Sequence, residues 1–408
     1  MKHHFLLVVL VASQMAAHAA GRLEALTLEQ AVQQGESRHP ELAEARAILE
    51  SAEGRVQQAG RLANPEAIAR IEQAPFKGRT LDDAEYLAGI AQTVPLGGRL
   101  GKARQAEELE RDRRARELEV RRRELRRRIH SAFATALYQQ QAWLAQKAAV
   151  AGADQGVATT RARVEAGDAL REDLVRAEME ASRARVELRR AAALQEQAMA
   201  SLAAAMGDPA SPVRPLDGTL ETTFELPTME ALAARLASHP ESALADADSR
   251  ASNARVDLAR AERIPDVKVE LLYRRLQAEQ VNAFDVGLTI PLPLLDRNQG
   301  RIREARAEAA AAEARSRSTR NDLTLRLREA HAQLTAALAN RRALKEEVLP
   351  RADLLLQAAE ARYAAGDSSL TDVLPVRRDW AAVQLAYLES LRDVMQAWVA
   401  LTPFLGAH

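Results

Sequence analysis

Two stretches of the chain alternate apolar and polar residues with period two. In DVKVELLYR, residues 266–274, Val267, Val269, Leu271 and Tyr273 fall on one face, and Asp266, Lys268, Glu270 and Arg274 fall mainly on the other. In AFDVGLTIPL, residues 283–292, Phe284, Val286, Leu288, Ile290 and Leu292 alternate against Asp285, Gly287 and Thr289. This is the signature of strands with one apolar face, and it predicts a β-hairpin at about 266–292. A second pair, around 66–74 and 86–94, alternates less cleanly and predicts a hairpin at about 66–95. The rest of the chain reads as helix. Very long helices are expected over roughly 102–164 and 301–364, with shorter ones ending near Leu62, Met206, Ile264 and Leu401. Pro291 and Pro293 stop the last strand just before a long helix, and Pro40 and Pro240 suit the first turn of a helix.

The same plan occurs twice. SRHPEL (37–42) returns as ASHPES (237–242), TVPL (93–96) as TIPL (289–292), and RVEAGDALREDL (163–174) as RYAAGDSSLTDVL (362–374). Repeats that keep their order and spacing mean duplicated architecture. The expected organisation is a signal peptide at 1–19, a first repeat at 20–207, a linker at 208–228 and a second repeat at 229–408. Each repeat would hold helices, a β-hairpin, one long helix, a Gly-Asp reversal at Gly167-Asp168 or Gly366-Asp367, and a return helix.

Composition sharpens this picture. Hydrophobic residues make up 47% of the chain but aromatics only 3%, and alanine dominates the apolar set, which suits thin helix packing better than a thick globular core. Formal charge is zero, so net basicity gives no argument for nucleic acid. There is no cysteine, hence no disulfide, zinc-thiolate site, cysteine nucleophile or cysteine-linked lipid. The opening MKHHFLLVVLVASQMAAHAA has the basic start, apolar run and small-x-small site of a signal peptide. No later stretch is apolar enough for a transmembrane helix.

An exported chain of this kind can enter a membrane through its strands, since each is about ten residues, enough to cross tilted. In lipid a sheet must close to satisfy its backbone, and four strands enclose no useful barrel, so several copies must share one. A helix of about 63 residues spans roughly 95 Å, and the two shorter helices of about 23 and 35 residues stacked end to end span roughly 87 Å. Columns of matching height suit the wall of a tunnel.

Other motifs have plainer structural explanations. ERDRRARELEVRRRELRRRIH (110–130) looks like an arginine-rich patch, but Glu107–Arg111, Glu110–Arg114, Asp112–Arg116, Glu117–Arg121, Glu119–Arg123 and Glu124–Arg128 are i,i+4 pairs that predict a solvated helix face. GGRLGK (97–102) is one residue short of a phosphate loop and has Ala103 where Ser or Thr would bind magnesium, so turn and helix entry is the better reading. His39, His130, His239, His331 and His408 stand apart from partners at metal spacing, which predicts no resident metal or cofactor. No nucleophile–base constellation argues for an enzyme.

The duplicated plan, with PLPLLDRNQGRIREARAE (291–308) and VPLGGRLGKAR (94–104), resembles the TolC family of outer-membrane efflux proteins over about Leu26 to Gly406, and within it the CzcC-like branch that serves heavy-metal pumps. The resemblance implies a mainly α fold with a small membrane β part: a homotrimer sharing a 12-stranded β-barrel above a long α-helical periplasmic barrel. It implies an exit duct in the outer membrane of a Gram-negative bacterium, fed by a periplasmic adaptor (membrane fusion protein) and an inner-membrane RND transporter. Cargo would be heavy-metal cations such as cobalt, zinc, cadmium or copper. A duct for drugs or secreted polypeptides is the nearest alternative, and a periplasmic coiled-coil scaffold or adaptor is the alternative of another class. Partners would include outer-membrane lipid and no nucleic acid. The resemblance places adaptor docking at Ala166-Gly167-Asp168 and Ala365-Gly366-Asp367, and a periplasmic gate at Asp372 with a Tyr363–Asp173 link. Pro375 and Ser368 depart from that pattern, at a second aspartate position and an arginine latch. Asp372 also suits the first turn of a helix through the macrodipole alone, and Gly suits a plain reversal turn. The outer loops are expected at 75–85 and 275–282.

Overall fold

The computed structural model describes residues 25–73, 84–210, 214–222, 225–277 and 279–405. The expected signal peptide, most of the loop at 75–85, linker residues 211–213 and 223–224, and His408 lie outside the described residues. The elements run α1 (Leu28–Arg38), α2 (Pro40–Gln58), β1 (Glu66–Glu72), β2 (Glu85–Val94), α3 (Arg99–Ala166), α4 (Arg171–Ala205), α5 (Met229–Ala233), α6 (Pro240–Ala261), β3 (Val267–Leu276), β4 (Val281–Thr289), α7 (Gln299–Ala343), a π-turn (Leu344–Val348), α8 (Leu349–Ala365) and α9 (Leu370–Leu401). They form two units. One comprises residues up to Leu42, Arg122–Arg235 and Thr324 onward, and the other Ala43–Arg121 and Leu236–Leu323.

In the second unit the strands form one antiparallel sheet in the order β1-β2-β3-β4. The pair β1–β2 forms despite its weaker alternation, because β2 pairs along its whole length with β3, from Glu85↔Leu276 to Val94↔Val267. Gly89 permits this contact: a Cβ there would sit 2.0 Å from the Leu271 carbonyl oxygen. One face carries Ile71, Ile90, Tyr273, Phe284, Val286 and Leu288, all strongly exposed, with Phe284 at 74% and Val286 at 76%. Tyr273 and Phe284 face each other across the β3–β4 ladder, edge to face at 5.7 Å. Strand β4 ends at Thr289, short of the Leu292 that its alternation suggests, because Pro291 and Pro293 have no N–H for a ladder. Each strand pair then enters its helix through left-handed backbone. Gly97 and Gly98 have φ of +67° and +70°, while Asn298 has φ of +58° and donates from Nδ2 to the Ala259 carbonyl at 2.8 Å. Asn tolerates this region better than other side-chain-bearing residues.

Helix packing here uses small residues. Ala305 and Ala309 of α7 bury against Val256 and Ala259 of α6, with Ile302 alongside. Polar chemistry is also enclosed. Glu110 is almost fully buried, not on a solvated face, and accepts from Arg113 at 2.7 Å, Arg114 at 2.9 Å and Arg255 of α6 at 2.9 Å. The Glu110–Arg114, Asp112–Arg116 and Glu117–Arg121 pairs form as spaced. Burial pushes the Glu110 carboxyl up, but the Arg113 hydrogen bonds and the surrounding guanidiniums outweigh it and hold the group below the usual carboxylate range.

In the first unit the core follows helical stripes: Leu125, Ile129, Phe133 and Leu137 on α3, and Leu327 and Leu334 on α7. Glu124 bonds Arg127, three residues on, whereas Arg128 turns to Glu41. The linker is strapped down. Leu216 forms a parallel bridge with Leu26, and the Gln140 amide both accepts from the Leu216 N–H and donates to its carbonyl, each at 2.9 Å. Helix α7 does not continue unbroken into α8. Pro350 lacks an N–H and its ring would collide with the carbonyl four residues back, and the helix widens into the π-turn just before it, where the Leu349 N–H reaches the Leu344 carbonyl.

Candidate functional site: the paired helix reversals

Both long columns of the first unit end in the same local structure. Helix α3 stops because Gly167 takes φ +86°, and the Asp168 N–H then reaches back to the Arg163 carbonyl at 2.8 Å. Helix α8 stops at Gly366, φ +83°, with the Asp367 N–H on the Arg362 carbonyl at 2.9 Å. This closing bond satisfies a carbonyl that the helix end would orphan, and only glycine reaches the conformation without steric cost. Ala166 and Ala365 are the last helical residues, and the six tip residues form two turns with the same glycine conformation and the same closing bond.

A carboxylate then starts each return helix. Asp173 Oδ2 accepts from the Leu170 N–H at 3.3 Å on α4. Asp372 Oδ2 accepts from the Ser369 N–H at 3.0 Å and its hydroxyl at 2.8 Å on α9. The Ser369 hydroxyl and then its N–H hold the Asp372 carboxyl below the usual aspartate range, helped by Arg362. Within one chain, therefore, Asp372 acts as a helix-start residue, the simpler of its two sequence readings.

Tyr363 meets a different residue from the one the resemblance implies. The Arg163 guanidinium lies 4.9 Å from the centre of its ring, and Arg163 Nη1 donates to the Tyr363 carbonyl at 3.4 Å. Among the described residues, Tyr363 and Asp173 share no hydrogen bond; Asp173 instead lies 3.9 Å from Arg176. Arg163 thus ties the end of α3 to the end of α8. A signal for it exists in the repeat, since Arg163 and Arg362 both stand four residues before a tip glycine. Ser368, where an arginine latch would be, has a buried hydroxyl without a hydrogen-bond partner. Further back, Arg378 pairs with Glu180 and Arg377 with Glu360 at 2.9 Å, linking the return helices to their neighbours. Apolar side chains nevertheless point outward at the start of α4 and on α4 and α8: Leu170 just before α4, Val175, Met179, Leu354 and Leu355 are all more than half exposed.

A four-stranded sheet with an exposed apolar face, joined to duplicated long helices with glycine reversals, defines a membrane channel subunit. The chain belongs to the outer membrane efflux protein family, whose model matches residues 31–208 and 231–407. It is 30% identical over 382 residues to the cobalt-zinc-cadmium resistance protein CzcC of Cupriavidus metallidurans, covering 93% of this chain and 90% of that one. It is 28% identical over 272 residues to protein CyaE of Bordetella pertussis, covering 63% of this chain and 57% of CyaE. Its fold matches the CusC channel at TM-score 0.77 and 17% identity, over 93% of this chain and 92% of that one. VceC of Vibrio cholerae matches at TM-score 0.75 and 20% identity, over 93% and 96% of the two chains. The protein is an outer-membrane efflux channel with the TolC-type fold.

Proposed function

We propose that three copies of this chain close one 12-stranded barrel and form the exit duct of a tripartite efflux pump for heavy-metal cations. The observation that carries this reading is the open four-stranded sheet, whose outer strands β1 and β4 have free edges while its apolar face stays exposed. Lipid tolerates no unpaired strand edge, so the edges must pair with other copies. The outward apolar residues of α4 and α8 would likewise be covered by neighbouring helices in the trimer. Residues 20–207 and 229–408 act as two repeats joined by 208–228, after a signal peptide at 1–19.

The likeness to a cobalt-zinc-cadmium resistance protein over nearly the full length of both chains supports metal cargo over drugs or polypeptides. The cations pass as substrate, weakly held, as transit through a pore requires. No bond is made or broken by the protein. An inner-membrane RND transporter would supply the cargo, and the hairpin tips of a periplasmic adaptor would meet Ala166-Gly167-Asp168 and Ala365-Gly366-Asp367. Three Asp372 carboxylates brought together at the constriction would attract cations, with Arg163 on Tyr363 holding the tips and Asp173 fixing the start of its return helix. The test is a strain lacking this chain. It should lose tolerance to cobalt, zinc, cadmium or copper and regain it on complementation. Loss of drug tolerance with unchanged metal tolerance would favour the other duct.

A further inference from the structure

The sheet face opposite the apolar band carries a cross-strand cluster of charges. Register sets Glu72 of β1 directly opposite Glu85 of β2. Like charges directly opposed across a ladder are destabilising. On the same face Asp285 of β4 lies opposite Leu272, next to Arg274 of β3. Arg274 gathers all three carboxylates. Its Nε and Nη2 each lie 2.7 Å from Asp285 Oδ2, its Nη1 bonds Glu85, and the same nitrogen is 3.8 Å from Glu72 Oε2. One guanidinium therefore spans β1, β2 and β4 from β3. The Glu85 side chain is 9% exposed, whereas Glu72 and Asp285 remain 41% and 37% open.

The apolar face must meet lipid, so this face lines the barrel interior. Three carboxylates around one point make a hard oxygen ligand set of the kind that holds divalent cations. Such a set in a duct wall would trap cargo, because conduction needs sites that release as readily as they attract. Arg274 already occupies the centre of the set.

We propose that Arg274 is a selectivity-determining residue of the conduit: a tethered cation that partly neutralises a three-carboxylate cradle, so that the partly open Glu72 and Asp285 attract passing divalent cations without retaining them. This rests on the reading of the chain as a cation duct. The test uses purified full-length protein in planar bilayers, with reversal potentials in a KCl gradient and block by CdCl2. Arg274→Gln should raise the potassium-to-chloride permeability ratio by about threefold or more and lower the blocking CdCl2 concentration by about tenfold. Arg274→Lys keeps the charge but loses the fork that spans the three carboxylates, so it should fall between the parent and Arg274→Gln. Adding Asp285→Asn to Arg274→Gln should reverse the cadmium effect. Arg274→Gln pores with parental reversal potential and parental block overturn the proposal. If Arg274→Gln yields no pores, Asp285→Asn alone decides: cation preference must fall, and an unchanged value overturns the proposal. A parent protein that forms no pores at all removes the duct reading and this proposal together.

Discussion

Asp372 makes two hydrogen bonds with Ser369 that any helix start could use, yet it sits just past the tip where three chains would converge. Asp372→Asn should leave trimers intact but lower cation selectivity and block by multivalent cations applied from the periplasmic side. Bilayer recordings check it, and parental behaviour would place the constriction elsewhere. The bonds also set a pH dependence. The folded carboxyl lies below its usual range, so its contribution is complete above the ordinary aspartate range and fades as pH falls through the lower folded value. Exchange at the Ser369 amide, corrected for intrinsic rate, should therefore quicken in that acidic window. Glu110 makes a stronger structural case. Replacing it with Gln leaves Arg113, Arg114 and Arg255 clustered around a neutral group. The expected loss is about 2 kcal/mol, measured by denaturant unfolding, within the range for breaking buried charged contacts.

At the level of elements, glycines carry the sharpest expectations. Gly167 and Gly366 both have positive φ, and bulky residues there cost about 1 kcal/mol each. Efflux should nevertheless be lost while trimers still reach the outer membrane. Normal adaptor crosslinking in that double variant would count against docking at the tips. Gly89→Val acts differently, because its side chain would drive into the β3 backbone and part β2 from β3; outer-membrane insertion should fail. The hairpins, long helices and reversals are legible in the sequence because period two, period 3.6 and Gly-Asp each report purely local physics. The π-turn is written only as Pro350 inside a helical pattern, and proline can equally end or kink a helix. The buried state of Glu110 is hidden among many similar i,i+4 pairs, since Arg255 reaches it from 145 residues away. The Arg274 cradle needs the register between β2 and β3, which spans 189 residues between Glu85 and Arg274. The Arg163 contact with Tyr363 similarly joins residues 200 apart.

For the whole molecule, one chain leaves two strand edges and apolar helix surfaces that copies of the same chain must cover, and an apolar sheet face that must meet lipid. Cell fractionation followed by electrophoresis with and without heating tests this directly. A species of three chains is expected in the outer-membrane fraction, collapsing to a single chain on heating. A soluble monomer in the periplasmic fraction would contradict it and return the chain to the class of periplasmic scaffolds.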